Sequence, residues 1–172
     1  MDIKGKNLVL IGFMGSGKSF LGRVLAQRLQ RTFVDTDKEI EKLYKLPVAE
    51  IFRRFGETAF RSNEHLLVQK LARQSELVIA TGGGLLLNRE NIALLKSNGI
   101  FIRVEATPHI LHERLTRKHV RRPLIKKGLT LEELKQQIAG REKLYTDADI
   151  IIDNGNLGRK QAVSRLLELL SS

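Results

Sequence analysis

A glycine-rich segment near the amino end of the chain has the residue types and the spacing of a phosphate-binding loop. Residues 12–19 read GFMGSGKS, which matches the pattern GxxxxGK[ST], and they follow a short apolar run. The glycines let the backbone curl until successive N–H groups point inward, and the positive end of the next helix adds to this anion site. The segment therefore indicates binding of the β- and γ-phosphates of a nucleotide.

The last two residues of this loop have predicted tasks. Lys18 would place a positive charge on the phosphates, and the Ser19 hydroxyl would ligate Mg²⁺, which bridges the β- and γ-oxygens. The alternative is a glycine-rich turn that matches the pattern by chance. A buried strand before the loop and a helical pattern after it favour the nucleotide site, but they do not identify the phosphoryl acceptor.

Two carboxylates follow the second predicted strand, at the edge where parallel sheets bind ligands. Asp35 could hold Mg²⁺ directly or through water, and Asp37 could accept a hydrogen bond or a proton from a hydroxyl of the acceptor. The alternative for Asp37 is a cap that opens the next helix. The two roles of Asp37 are compatible.

Three glycines and a helical ion pair complete the candidate site. Gly82, Gly83 and Gly84 directly follow the third predicted strand and would let a ligand approach the main chain. Arg61 and Glu64 lie one helical turn apart, so Glu64 could hold the Arg61 guanidinium in place. Taken alone, the glycines would be typical of a flexible turn and the ion pair of a surface salt bridge.

Five short apolar runs must position these residues, and helical patterns separate them. The predicted strands span Leu8 to Phe13, Thr32 to Asp35, Leu77 to Ala80, Ile100 to Val104 and Ile150 to Asp153. Continuous apolar strands that alternate with helices are typical of an α/β fold whose parallel sheet is covered on both faces.

Two further segments are candidates for parts that contact ligands. A helical region at about 37–73 is interrupted by Pro47 and Gly56 and is long enough to form a substrate-holding flap. The segment at about 117–129 is rich in Arg and Lys and contains Pro123. It is either a solvated connection or a lid that closes over phosphates. We expect both segments to belong to a single domain that spans 1–172.

The composition of the chain narrows its possible partners. A formal net charge of +11 over 172 residues favours anionic ligands. Two Tyr and no Trp are few for a typical nucleic-acid surface. Cysteine is absent, which excludes disulfides and suits a reducing cytosol, and no apolar run approaches the roughly 18 residues of a membrane span. We therefore expect a soluble, unprocessed, cytoplasmic protein with no nucleic-acid or membrane partner.

Motifs that the chain lacks narrow the class of nucleotide-binding protein. A GTPase would need an Asn-Lys-x-Asp sequence after a later strand, and an ABC-type ATPase would need an LSGGQ signature and a much longer chain. Neither is present. A compact small-molecule kinase remains.

The ordered combination of motifs resembles the shikimate kinase family over nearly the whole chain. The matching segments are IGFMGSGKS, VDTD, IFRRFGETAFRSNE, ATGGGLLLNREN, RRPLI and GREKLY. The resemblance implies a three-layer P-loop fold with a five-stranded parallel sheet in the order 2-3-1-4-5, helices on both faces, a flap and a lid. It also implies transfer of the γ-phosphoryl group of ATP to the 3-hydroxyl of shikimate, with one Mg²⁺ ion held near Ser19 and Asp35.

The resemblance also assigns roles to residues of this chain. It makes three residues catalytic: Lys18, Asp37 and Arg122. The implied nucleotide-binding residues are Gly15, Ser16, Gly17, Lys18, Ser19, Phe20, Arg117, Arg122 and Asn154. The implied substrate-binding residues are Asp37, Arg61, Gly82, Gly83, Gly84, Arg141, Phe52, Phe60 and Glu64. In this scheme Arg61 and Arg141 clamp the substrate carboxylate, for which planar, bidentate arginine is well suited.

Two positions depart from the family pattern or leave it open. The family usually carries a second hydroxyl residue after Ser19, and Phe20 stands there instead. A contact to the α-phosphate should therefore be missing. The arginine that stacks on adenine is either Arg114 or Arg117, and we favour Arg117.

Two other functions remain as alternatives at this point. One is another small-metabolite kinase of the same fold, such as a gluconate-type or nucleoside monophosphate kinase. The other is a non-catalytic, basic RNA-binding module with a relic phosphate loop. The pair Arg61 and Arg141 beside three glycines favours a compact carboxylate as the acceptor, and we expect the chain to act as a monomer.

Overall fold

The computed structural model describes residues 2–117 and 128–171. Its strands are β1 (Asn7–Ile11), β2 (Thr32–Asp35), β3 (Leu77–Ala80), β4 (Gly99–Glu105) and β5 (Ile150–Asp153). Its α-helices are α1 (Lys18–Leu29), α2 (Thr36–Tyr44), α3 (Val48–Ala72), α4 (Arg89–Ser97), α5 (Pro108–Thr116), α6 (Leu131–Arg141) and α7 (Arg159–Ser171). Short 3₁₀ helices span Leu85–Leu87 and Glu142–Tyr145.

The five strands form one parallel sheet in the order β2-β3-β1-β4-β5. This confirms the fold and the strand order that the sequence resemblance implied. The register pairs Asp35 with Ala80 and Ile11 with Arg103, so the strands end along a common edge. Loops that follow the strands are therefore brought together at this carboxyl edge.

Alternate residues of the central strand β1 enter two different cores. Leu8 and Leu10 share a buried cluster with Leu25 of α1, whereas Val9 and Ile11 share one with residues of α3 and α4. Side chains of a strand point to opposite faces in turn, which explains why β1 is apolar throughout. The arrangement holds the loop after β1 between two packed layers.

The predicted strand boundaries agree with the structure for β2, β3 and β5, but β1 ends earlier than predicted. The chain leaves the sheet at Gly12, whose φ of 137° is a conformation that L side chains rarely adopt. Phe13 was predicted to continue the strand, but it is buried in a separate cluster with Leu111 and Leu115 of α5. Its apolar character reflects packing beside the loop.

The predicted flap region corresponds to most of α2 together with α3. Pro47 is the N-cap of α3, and Gly56 kinks this helix with φ 80° and ψ 165°. Both breaks expected from the sequence are therefore present. Among the helices of residues 2–117 and 128–171, none is at once long enough and apolar enough to cross a membrane.

Candidate active site

The loop between β1 and α1 has the curled backbone of a phosphate cradle, with conformations that glycine adopts readily and other residues rarely do. Gly12, Gly15 and Gly17 all have positive φ angles. At Gly12 there is also no room for a side chain, because an added Cβ would lie 2.4 Å from the Val104 carbonyl oxygen. These glycines are therefore needed for backbone conformation and for close packing.

Lys18 opens α1 and is directed back over this loop. Its ammonium donates to the carbonyl oxygens of Gly12 at 2.7 Å and Phe13 at 3.0 Å, and the side chain is largely buried. The lysine thus places its amino group beside the amide groups of the cradle. This is the arrangement in which a lysine can contact the terminal phosphates of a nucleotide.

Ser19 and Asp35 meet as the sequence predicted. The Ser19 hydroxyl donates to Asp35 Oδ2 at 2.6 Å, while Asp35 Oδ1 accepts from the backbone amide of Lys38 at 3.3 Å. Asp35 is therefore the N-cap of α2, and Asp37, for which a capping role was considered, lies inside the helix. A hydroxyl and a carboxylate at this distance beside a phosphate loop are suitable ligands for Mg²⁺.

Asp37 faces the glycine loop after β3. A Cβ added to Gly82 would lie only 2.1 Å from Asp37 Oδ1, so glycine is required for this approach. The pKa of the Asp37 carboxyl is raised from 3.8 to about 6, first because burial removes it from water and second because the negative charge of Asp35 is nearby. Asp37 can therefore exchange a proton near neutral pH.

Thr36, between these two carboxylates, is a positioning residue that the sequence analysis missed. Its side chain is fully buried, and its hydroxyl oxygen accepts a hydrogen bond from the Gly82 amide at 2.8 Å. This bond joins the start of α2 to the glycine loop. A threonine between two aspartates carries no pattern of its own, because its partner is 46 residues away.

Arg61 lies against the last glycine of the same loop. Its Nη2 is 2.2 Å from the position of a Cβ added to Gly84, and its Nη1 donates to Glu64 Oε2 at 2.8 Å. Glu57 also accepts from the guanidinium, at 3.1 Å and 3.2 Å. The sequence analysis missed Glu57, although its spacing of four residues from Arg61 was a usable signal.

Glu64 and two phenylalanines support the guanidinium of Arg61. The Glu64 side chain is almost completely buried, and burial is the main cause that raises its pKa. The centroids of the Phe52 and Phe60 rings lie 5.9 Å and 5.3 Å from the Arg61 guanidinium carbon. The two rings pack edge to face at 4.8 Å, so they form an apolar wall beside a fixed cation.

Arg141 reaches the middle of the glycine loop from the end of α6. Its Nη1 donates to the Gly83 carbonyl oxygen at 2.8 Å, and its guanidinium carbon lies 5.7 Å from the centroid of the Phe13 ring. The glycine loop thus brings together Asp37, Arg61 and Arg141, which are far apart in the sequence. Two cations and one titratable carboxylate lie together at this loop.

On the other side of the phosphate loop, Asn154 packs against Gly17. Its side-chain amide donates to the Ser16 carbonyl oxygen at 2.6 Å, and a Cβ on Gly17 would lie 2.2 Å from Asn154 Nδ2. Arg114 binds the Asn154 carbonyl oxygen at 2.7 Å and those of Gly15 and Ser16 at 3.3 Å. Asn154 and Arg114 therefore support the phosphate loop.

The two arginines considered for adenine stacking lie in different surroundings. Arg114 contacts the phosphate loop, whereas the exposed Arg117 pairs with Glu113 at 2.6 Å, one helical turn away. Phe20, in place of the expected hydroxyl residue, is 37% exposed on α1. Arg122 and most of the predicted lid lie outside the described residues.

The fold and the site together define a class of protein. A phosphate loop with a buried lysine lies next to a hydroxyl–carboxylate pair, and a second polar crevice holds a titratable carboxylate and two arginines. Nucleotide phosphates and an anionic, hydroxylated acceptor can bind side by side at this edge of the sheet. The protein is a P-loop phosphotransferase of the small-molecule kinase type.

Comparison with known proteins identifies the family within this class. The family described as "Shikimate kinase" matches residues 14–171. A shikimate kinase of Pelotomaculum thermopropionicum is 48% identical over 165 residues, which cover 96% of this chain and 95% of the relative. This chain belongs to the shikimate kinase family, and it is an ATP-dependent kinase.

Two solved structures are similar over almost the full length. A shikimate kinase from Acinetobacter baumannii, in complex with shikimate, has a TM-score of 0.84 and 29% identity, covering 98% of this chain and 94% of that one. A shikimate kinase from Bacteroides thetaiotaomicron has a TM-score of 0.87 and 31% identity, covering 97% and 99%.

Proposed function

We propose that this chain transfers the γ-phosphoryl group of ATP to the 3-hydroxyl of shikimate, giving shikimate 3-phosphate and ADP. The observation that carries the proposal is the convergence of Asp37, Arg61 and Arg141 on one glycine loop. Shikimate is a compact ring acid that carries a carboxylate and several hydroxyls. Two guanidinium groups suit the carboxylate, and a carboxylate side chain suits a hydroxyl.

In this proposal the acceptor is held from three sides. Arg61 and Arg141 bind its carboxylate, while the main chain of Gly82–Gly84 and the Asp37 carboxylate bind its hydroxyls. Phe52 and Phe60 face the apolar part of the ring. Glu64 and Glu57 hold the Arg61 guanidinium so that little side-chain entropy is lost when substrate binds.

The nucleotide is proposed to bind on the side of Lys18 that is opposite to the acceptor. The amide groups of the phosphate loop and the Lys18 ammonium bind its phosphates, and Asn154 lies at the wall of the site. Arg114 and Arg117 are both retained as candidates for the adenine contact. We also propose that Arg122 contacts the transferring phosphoryl group, as the family resemblance implies.

Ser19 and Asp35 are proposed to hold one Mg²⁺ ion together with ATP. The residues fit the ion because the Ser19 hydroxyl and a carboxylate oxygen of Asp35 are already 2.6 Å apart. In addition, the negative charge of Asp35 contributes to the raised pKa of Asp37. When bound, the ion neutralises charge on the phosphate oxygens.

During transfer, the protein mainly positions the reactants and stabilises charge. Ionised Asp37 accepts a hydrogen bond from the attacking hydroxyl and can take its proton, since its pKa of about 6 leaves it mostly ionised above neutral pH. Lys18 stabilises negative charge on the phosphoryl oxygens. We also propose that the monomer is the functional unit.

The test is a coupled ADP-release assay with shikimate, gluconate and a nucleoside monophosphate as acceptors, with and without Mg²⁺. We expect turnover with shikimate only, and only when Mg²⁺ is present. Turnover with gluconate alone would transfer the proposal to a gluconate-type kinase. Salt-sensitive RNA binding without any ADP release would support the nucleic-acid alternative.

A matched pair of lysine variants tests the phosphate site. Lys18→Ala should lower kcat on the order of a hundredfold or more, because it removes a charge that stabilises the transition state. Lys42→Ala is the control, since Lys42 is exposed on α2 and pairs with Glu39. Retention of most of the turnover by Lys18→Ala would contradict the assignment.

A further inference from the structure

A chain of hydrogen bonds links α3 to the segment that follows the glycine loop. At its centre is Asn91, which is 1% exposed and lies on α4. Its Nδ2 donates to the Leu85 carbonyl oxygen at 3.2 Å, and its Oδ1 lies 2.7 Å from His65 Nδ1. Nε2 of the same histidine lies 3.0 Å from Gln69 Nε2.

The directions of the two Asn91 bonds follow from the chemistry of the groups. A carbonyl oxygen only accepts, so the Asn91 amide nitrogen must face Leu85 and its oxygen must face His65. His65 Nδ1 must therefore carry a proton and donate to Asn91, while its Nε2 faces the Gln69 amide at 3.0 Å and the Glu90 carboxylate at 3.6 Å. Both Asn91 bonds have a donor and an acceptor, so the buried asparagine is satisfied without water.

These hydrogen bonds reach both parts of the acceptor site, the helix that carries Arg61 and the glycine loop. His65 lies four residues after Arg61, so both side chains project from the same face of α3. Leu85 directly follows Gly84, and its amide donates to the Gly82 carbonyl oxygen at 3.3 Å. The bonds through Asn91 therefore connect the helix that carries Arg61 to the loop that Arg61 contacts.

We propose that Asn91 and His65 are positioning residues that set the separation between Arg61 and the glycine loop, and hence the affinity for the acceptor. Close contact makes this separation critical. The Arg61 guanidinium lies so near Gly84 that a single added methyl group would collide with it. A loop held less firmly against α3 changes the spacing of the groups that bind the carboxylate and the hydroxyls.

The inference rests on the proposed function, and its test separates the two. Asn91→Leu removes the hydrogen bonds of the Asn91 side chain to Leu85 and to His65 while keeping a similar side-chain volume. We expect KM for shikimate to rise about fivefold to tenfold, the change that about one lost hydrogen bond produces, while KM for ATP stays the same. Inactivity of the unaltered chain toward shikimate would refute the function, whereas equal KM values for Asn91→Leu and the unaltered chain would refute the positioning role.

Asn7→Ala is the control for a general loss of stability. Asn7 is also buried, and its amide binds backbone groups of Gln74 and Leu77 at the amino end of the sheet, away from the site. It should lower the midpoint of unfolding without changing KM for shikimate. A rise in KM for shikimate that is equal in Asn7→Ala and Asn91→Leu would show that stability alone is responsible.

Two histidine variants keep the proposal testable if Asn91→Leu does not fold. His65→Leu should raise KM for shikimate, and His65→Asn should restore it, because an asparagine amide can donate where Nδ1–H did. Hydrogen exchange of the amides in 82–87 gives a readout that needs no turnover. We expect faster exchange in His65→Leu than in His65→Asn, and equal rates would overturn the proposal.

Discussion

Replacing Asp37 by asparagine is expected to stabilise the ligand-free protein while abolishing activity. The Asp37 carboxyl is held where burial and the negative charge of Asp35 both oppose its ionisation, and its pKa is raised to about 6. At neutral pH the folded protein must therefore keep a carboxylate in an unfavourable place. Asparagine has a similar shape and cannot ionise, so Asp37→Asn removes this cost.

The size of the effect follows from the pKa values of 3.8 and about 6. The folded state has the higher pKa, so it binds more protons between these two pH values, and the stability falls as the pH rises through this window. Above about pH 6 the full cost is present, about 2–3 kcal/mol for a half-buried group at about 1.4 kcal/mol per pKa unit. For a chain of this length, that corresponds to roughly 4–12 °C in the unfolding temperature.

The difference in the free energy of unfolding between Asp37→Asn and the unaltered protein can be measured by urea unfolding of the ligand-free proteins at about pH 8, about pH 6 and about pH 4. Asp147→Asn is the control, because it removes an exposed carboxylate and changes the net charge by the same amount. We expect Asp37→Asn to be the more stable protein at about pH 8 and the advantage to shrink toward about pH 4. Equal stabilities at the higher pH, or an advantage that does not depend on pH, would refute the reasoning.

Three further predictions concern the same site. Gly84→Ala places a Cβ 2.2 Å from Arg61 Nη2, so KM for shikimate should rise and the protein should lose stability. Gly83→Ala is the comparison: its Cβ meets its nearest atom at an ordinary 3.5 Å, so thermal unfolding should show a smaller loss of stability than for Gly84→Ala. Phe20→Thr restores the second hydroxyl that the family usually carries after Ser19; if this hydroxyl binds the α-phosphate as the resemblance implies, KM for ATP should fall by about twofold to tenfold in steady-state kinetics, and an unchanged value would argue against that contact. The value of kcat/KM for shikimate should fall as the pH is lowered below about 6, because only ionised Asp37 accepts the hydroxyl proton, and a value that stays constant on acidification from about pH 6 to about pH 4 would contradict this role.

The local chemistry of the site could be predicted because it is written in short segments. A glycine-rich loop between an apolar run and a helical pattern predicts its own conformation, and Lys18 and Ser19 are part of that same segment. The strand ends at Asp35 and Ala80 were also predictable, because parallel strands in a common sheet end along one edge. The end of β1 was not, since an apolar Phe13 looks the same in a strand as in a buried loop.

Contacts between distant segments were decided by the tertiary structure. The sequence determined that this chain has a phosphate loop, paired carboxylates and a triple glycine, because each is a local pattern with a local physical cause. It could not determine that Thr36 binds Gly82, that Asn91 joins His65 to Leu85, or that Arg114 contacts the phosphate loop while Arg117 pairs with Glu113. Such contacts, and the raised pKa of Asp37, depend on which groups the packed helices and strands bring within a few ångströms of one another.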